Sequence, residues 1–397
     1  MAGGDRPSTR VILVTGKGGV GKTTLAAATA LTAAERGART LLVSTDAAHS
    51  LADVLLQTLG SEPAPIADNL DGLQLDGRRE LQRSWGSIVE YLRRLVGITE
   101  LDRLHVDELV VIPGLDQLVA LGRLRTLVDD GPWEAIVVDC APSADTLRLL
   151  ALPDVLGWYV ERLFGRNGTI NRWARRRIER TFAVPVPDDS IVSSVTSMAD
   201  ELAGLRATLD RGRTTARIVT TTERVVLAEA QRTLAYLALY GYTADAVLVN
   251  RVPPLAAAIT IGAPAARQAQ LGVVDAVFDA LPRLVVCHRA EEPLGLDALR
   301  ALGDELYGAT DPLATLSHHP ALEFTSRGQE SLLRLAVPGL DRREIDLERD
   351  GDHLIVGLGV HRRSVMLPEG LRDRDVVRAG VNGQHLEIVF GERAHVG

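Results

Sequence analysis

The chain has 397 residues, 46% of them hydrophobic and 24% charged, and a formal net charge of −8. That length suits two or three domains of ordinary soluble composition, and the acidic balance excludes a general electrostatic footprint for nucleic acid or anionic lipid. Two cysteines, Cys140 and Cys287, give no disulfide framework or thiolate metal cluster and fit a reducing cytosol. The polar start "MAGGDRPSTR" lacks the apolar core of a signal peptide, and no apolar run reaches the roughly 18 residues of a membrane span. A cytoplasmic protein with no stable membrane insertion is expected.

In chain order, "RVILVT" (10–15) is a β-branched run that predicts a buried strand. "KTTLAAATALTAAERG" (22–37) is alanine-rich, apolar at helical spacing and ends on a glycine, as a helix does. "ARTLLVST" (38–45) is the next strand and "WEAIVVDC" (133–140) another. "ARIVTTTE" (216–223) and "DAVLVN" (245–250) follow, separated by a helical "RVVLAEAQRTLAYLALYG", and "RLVVCH" (283–288) closes the set. Strands alternating with helices predict an α/β, doubly wound, mostly parallel sheet. Polar residues, namely Asp46, Asp139, Thr221 and Asn250, fall at the C-terminal ends of these strands, the edge where open α/β sheets bind ligands.

Residues 51–130 and 155–212 read as mostly helical insertions, and the stretch 155–182 mixes aromatic side chains with many arginines. Residues 309–325 read as a linker, with Pro312 and Pro320 breaking periodicity. From 326 to 397 the pattern becomes strand-like. "DG" at 350–351 and "NG" at 382–383 sit between alternating segments, a strong hairpin signal. The expected organisation is an α/β unit over 1–308 and a small antiparallel β-sandwich over 326–397.

Between the first strand and the first helix lies "TGKGGVGKTT", Thr15 to Thr24. Lys17 and Lys22 within it are the only lysines of the chain; the other 42 of its 44 lysine-plus-arginine residues are arginines. Gly16, Lys17, Gly18, Gly19, Val20, Gly21, Lys22 and Thr23 satisfy the P-loop pattern G-x-x-x-x-G-K-[ST], with Thr24 following in the helix. Glycines let backbone N–H groups converge on phosphate oxygens, and the helix N-terminus adds a favourable dipole. In such a loop Lys22 contacts the β- and γ-phosphates of ATP, and the Thr23 hydroxyl ligates Mg²⁺. Asp139, ending an apolar strand, is the expected acidic partner of the magnesium, through water.

Lys17 is a feature that an ordinary P-loop does not require. With it the loop resembles the deviant Walker A subclass of P-loop ATPases. The resemblance implies a homodimer in which this lysine reaches the partner's nucleotide and offsets charge on the transferring phosphoryl group. "VSTDAAHSLADVL" (43–55) resembles the first switch of the ArsA and tail-anchored-protein targeting ATPases, implying that Asp46 orients the attacking water and that His49 belongs to the switch. A carboxylate at Asp46 also suits the N-cap of the helix that follows. "VDCAPSADTLRLLALP" (138–153) resembles their second switch, with Asp139 and Pro142 matching. Cys140, Ser143, Ala144 and Asp145 depart from it. Asn250 matches an asparagine that reads the adenine edge. In the C-terminal part, the V-P-G of "LAVPGL", the L-P of "SVMLP" and the A-x-x-N-G-x-x-L of "AGVNGQHL" resemble the α-crystallin, or small-heat-shock, sandwich, and this fusion resembles a bacterial and plastid branch of the family.

The resemblance implies an ATPase, with ATP and Mg²⁺, that closes and opens a dimer around a hydrophobic protein or peptide client. An arsenite or anion pump subunit is the alternative, although two cysteines cannot supply the three thiolates per chain that a soft metalloid site prefers. A partitioning protein of the same superfamily would use a basic patch or an amphipathic tail helix; the acidic balance and the β-sandwich pattern of the tail rank this reading last.

Overall fold

The computed structural model describes residues 9–46, 50–75, 115–140, 204, 212–254, 263–327, 330–359 and 361–392. The aromatic–arginine stretch 155–182, and all of the expected insertion 155–212 except Gly204 and Gly212, lie outside them.

Eight strands form the first sheet: β1 (Arg10–Gly16), β2 (Thr40–Ser44), β3 (Ala64–Ala67), β4 (Leu70–Gln74), β5 (Ala135–Asp139), β6 (Thr214–Thr220), β7 (Ala244–Val252) and β8 (Arg283–Cys287). Their spatial order is β3-β4-β2-β5-β1-β6-β7-β8. Every neighbouring pair is parallel except β3 with β4. The strands are apolar on both faces because both faces are covered. Val11 and Leu13 of β1 enter the core on one side, and Ile12 and Val14 the core on the other.

Helix α1 (Lys22–Glu35) lies in the second core and is buried nearly all round, so its alanine-rich sequence shows no polar stripe. Two further helices are α2 (Ser50–Leu55) and α3 (Leu115–Asp130). Helices α4 (Arg224–Leu239), α5 (Ala263–Val277) and α6 (Gly295–Tyr307) follow strands β6, β7 and β8. Gly303 of α6 sits so close to Thr32 of α1 that a Cβ would collide with the threonine hydroxyl.

The helical expectation for 51–130 is corrected at residues 64–74, which form the antiparallel pair β3–β4. The cause is local: Asp68 and Asn69 make a turn, with Asn69 at φ 58°, and Pro65 is tolerated because β3 is the edge strand.

The second unit holds two antiparallel sheets. Strands β9 (Leu322–Arg327), β10 (Glu330–Ala336), β14 (Arg374–Asn382) and β15 (His385–Glu392) form one, ordered β14-β15-β10-β9. Strands β11 (Ile345–Asp350), β12 (His353–Leu358) and β13 (His361–Met366) form the other, and a one-turn helix, α7 (Glu369–Arg372), precedes β14. Both expected hairpins form, each with its glycine first in a two-residue loop. Gly351 (φ 56°) and Asp352 follow the closing pair Asp350–His353, and Gly383 (φ 59°) and Gln384 follow Asn382–His385. The expected linker is also corrected. Its last residues are strand, because Leu322 pairs with Leu335 and extends the sheet. Residues 313–316 are tied down, as described next.

At the N-terminal edge of the first sheet, Asp245 is fully buried between two arginines. Its Oδ2 accepts from Arg10 Nη2 at 3.0 Å, and its Oδ1 accepts from Arg217 Nε at 3.2 Å. Arg217 also donates to Tyr307 Oη at 2.8 Å and to the Ala314 carbonyl at 3.0 Å, and Arg10 Nε donates to the Leu313 carbonyl at 3.0 Å. These bonds hold the connecting segment against the sheet. Burial lowers the Arg10 guanidinium to about 10, against the pull of Asp245.

The two units share one core, because residues of the β sandwich such as Leu333, Leu354 and Phe390 join the same apolar cluster as α4 and the sheet. The seam is built on α4. His361 is buried, stacks on Tyr236 with ring centroids 3.9 Å apart, and meets Tyr240 Oη through Nδ1 at 3.0 Å. Arg363 Nη1 donates to the Leu239 carbonyl at 2.6 Å, capping the C-terminal end of α4, where a cation is favoured. No helix of the described residues is long and apolar enough to cross a membrane.

Candidate nucleotide site

The glycine loop joins β1 to α1 at the C-terminal edge of the sheet. Gly16 passes the Val219 carbonyl so closely that any side chain would clash with it. Gly21 is left-handed at φ 95° and precedes α1 without a side-chain cap, and the first turn of α1 has no acidic residue. The orphan N–H groups of that turn are therefore available to an anion. Lys22 is buried, and its Nζ donates to the Lys17 carbonyl at 3.3 Å, so the loop folds over its own lysine.

Asn250 braces the loop from β7. Its Nδ2 donates to the Val20 carbonyl at 2.8 Å, and its Oδ1 accepts from the Arg251 amide at 2.8 Å. The two contacts fix which end of the amide is nitrogen. Each end keeps one further hydrogen-bonding position, so a contact to a base is compatible with this bracing role. A Cβ on Gly21 would strike the Asn250 amide nitrogen. Replacing Gly21 by alanine adds about 1–2 kcal/mol of left-handed strain to that collision. Gly21→Ala is expected to weaken Mg-ATP binding by about 5- to 30-fold in a calorimetric titration. Unchanged affinity would mean that the loop does not need this conformation.

Asp139 ends β5 and is completely buried. Its register partner on β2 is Ser44, whose hydroxyl donates to Oδ2 at 3.4 Å, while Oδ1 has no hydrogen-bond partner. Burial pushes its carboxyl up to about 6, against the Thr23 hydroxyl and the charge of Lys22, with Asp46 adding to the rise. A buried carboxylate with an orphan oxygen, beside the Thr23 hydroxyl and the glycine loop, fits a divalent cation. Thr23 Oγ1 also meets Ser50 Oγ at 3.1 Å and ties α1 to the start of α2.

Asp46 follows β2 at the same edge. Its amide donates to Ser44 Oγ at 3.3 Å, and its carbonyl accepts from Gln74 Nε2 at 3.2 Å. Asp46, Asp139, Lys22 and Thr23 thus converge at one end of the sheet. Gly16 ends β1, Gly18, Gly19 and Val20 lie in the loop, and Thr24 lies in the first turn of α1. His49 and Pro142 lie outside the described residues. Lys17 does not turn toward Lys22. Its Nζ stands 3.4 Å from Glu229 Oε2 on α4, and both side chains are about one-third exposed. Sequence reasoning did not single out Ser44, Ser50, Gln74 or Glu229. Each enters through strand register or helix packing, which carry no local signature.

Burial, and then the neighbouring Asp139, push the Cys140 thiol up to about 12. Cys287 ends β8, and three strands intervene between it and β5, which places the two thiols about 19 Å apart at the spacing of neighbouring strands. They cannot share a ligand.

Residues 9–308 match the family described as anion-transporting ATPase, and residues 328–390 match the HSP20-like domain found in ArsA. A Chlorobaculum tepidum protein named "Putative arsenical pump-driving ATPase" is 33% identical over 389 residues, covering 96% of each chain. One of Aquifex aeolicus with the same name, numbered 1, is 29% identical over 397 residues, covering 96% of this chain and 99% of its own. A Paramecium tetraurelia protein named "ATPase ASNA1 homolog 2" is 27% identical over 255 residues, covering 62% of this chain and 77% of its own.

Proposed function

The chain belongs to the anion-transporting, or ArsA, ATPase family in the form that carries an HSP20-like domain, and from that premise we propose a homodimeric, deviant Walker A ATPase that handles hydrophobic protein clients. ATP binding closes the dimer, and hydrolysis reopens it. The glycine loop and the first turn of α1 cradle the phosphates, with Lys22 beside them. Thr23 and, through water, Asp139 would hold Mg²⁺, which would supply charge neutralisation of the phosphates. Asp46 orients the attacking water, and His49 and Pro142 belong to the switches. Asn250 adds a contact to the base. Dimer closure shifts the population toward the client-binding state, so the energy of the nucleotide appears as a difference in client affinity.

The observation that carries this reading is the division of labour between the two lysines. Lys22 is buried inside the loop, whereas Lys17 is one-third exposed at its rim. Only an exposed ammonium can reach a second chain. Phosphate release is expected to rise with chain concentration alongside a shift from monomer to dimer in light scattering with Mg-ATP. Lys17→Ala is expected to lose about 100-fold or more in hydrolysis while keeping nucleotide binding, by analogy with the loss of an arginine finger. Full activity of Lys17→Ala as a monomer would refute the dimer mechanism.

The names of the relatives favour a second reading, a subunit that drives an arsenical pump. The thiols argue against a metalloid-regulated site in this chain, since one is buried with its thiolate disfavoured and the other is remote. Stimulation of phosphate release by arsenite would decide for the pump.

A further inference from the structure

Lys17, the exposed lysine of the loop, is engaged within its own chain. Its Nζ stands 3.4 Å from Glu229 Oε2, and Glu229 lies on α4, a different element from either switch. The same helix seats the β sandwich. Positions 229, 233, 236 and 240 recur at spacings of four, three and four and so fall on one stripe of the helix. Thr233 Oγ1 bonds back to the Glu229 carbonyl at 2.9 Å, and Tyr236 and Tyr240 hold His361. Tyr236 is two turns from Glu229, about 10 Å along the axis. Glu229 is therefore a fixed point, carried on a helix anchored by the sheet on one side and by the second domain on the other.

An ammonium cannot stay on this carboxylate and also reach a phosphate in a second chain. We propose that Glu229 is a positioning residue that holds Lys17 in cis before the dimer forms, so that closure must first break this pair. This rests on the reading of Lys17 as the lysine that acts across the dimer. The pair is partly exposed, and such pairs are weak. That weakness suits a catch that nucleotide-driven closure has to release. It also sets the size of the effect: removing the catch is expected to ease closure by about twofold to fivefold. Glu229→Gln keeps the size of the side chain, so the charge facing Lys17 is what the substitution removes.

The chain has two lysines, so protein labelled with ¹³C only in lysine gives two lysine spin systems, and Lys17→Ala identifies one of them. In the nucleotide-free full chain, Glu229→Gln is expected to move the Lys17 Cε–Hε signal toward that of a solvated lysine, and Glu229→Asp to keep most of its displacement. In the same variants, the chain concentration for half-maximal phosphate release is expected to fall about twofold to fivefold for Glu229→Gln, with the melting temperature unchanged. Glu229→Gln added to Lys17→Ala is expected to change nothing further. A Lys17 signal indifferent to Glu229→Gln, an unshifted or raised half-activation concentration, or an effect that persists without Lys17 would overturn the proposal. If Lys17→Ala alone kept full hydrolysis, the trans reading would fall, while the lysine signal would still report whether Glu229 holds Lys17.

Discussion

Asp245→Ala is expected to destabilise the chain by about 3–5 kcal/mol. Asp245 and Arg217 are completely buried, and Arg10 nearly so. Removing the carboxylate leaves two guanidinium groups without their counter-charge, and that desolvation cannot be recovered by solvent at the core of the sheet. The loss extends to the connecting segment, because Arg10 and Arg217 also hold the Leu313 and Ala314 carbonyls and the Leu316 amide donates to Asp245 Oδ2 at 3.4 Å. Urea unfolding of both proteins at one pH measures the difference. A change below about 1 kcal/mol would place the pair in the class of weak, solvated ion pairs and contradict its burial.

Asp139→Asn is expected to act in opposite directions on stability and activity. The folded carboxyl titrates near 6, above its ordinary value of 3.8. Raised in this direction, it favours the protonated fold. Its contribution is fully present below pH 4 and is lost as pH rises from about 4 to about 6, by about 3 kcal/mol. Asparagine does not ionise, so the variant is expected to lack this fall. Its amide N–H₂ inherits the unpartnered position of Oδ1, which offsets part of the gain and leaves a net stabilisation of about 1–2 kcal/mol above pH 6. Mg-dependent hydrolysis is expected to drop about 10- to 100-fold, as on loss of an outer ligand. Unfolding curves from pH 4 to pH 8 test the first part and phosphate release the second. A variant with the pH dependence of the wild type would move the titration elsewhere. Instability stored in an orphan carboxylate is the usual trade between stability and function, and it fits the metal-holding role proposed for Asp139.

Much of this was legible because the information is local. A glycine loop between an apolar strand and an alanine-rich helix specifies its own conformation, and "DG" at 350–351 and "NG" at 382–383 specify hairpins because each sits between alternating segments. What the sequence could not show is non-local. Ser44 faces Asp139 because β2 and β5 align in register, and nothing in "ARTLLVST" announces that neighbour. Asp245 opens "DAVLVN", and nothing in that run announces the two arginines from β1 and β6 between which it is fully buried. The pair β3–β4 was hidden inside a stretch whose leucines also suit a helix. Glu229 sits on an amphipathic helix among other polar residues, and only the packing of α4 beside the loop singles it out. The place of the β sandwich was likewise unreadable. It follows from Tyr236, Tyr240 and His361, which are distant in sequence and meet in one contact.

The central claim, that Lys17 serves the nucleotide of a second chain, is tested most directly by mixing two inactive variants. Lys17→Ala keeps its own phosphate loop and lacks the rim lysine; Lys22→Ala lacks the loop lysine and keeps Lys17. Each is expected to be nearly inactive alone. Their mixture is expected to release phosphate, because a mixed dimer holds one complete site. A mixture as inactive as its components, although light scattering shows dimers with Mg-ATP, would contradict the claim and place Lys17 in the service of its own chain.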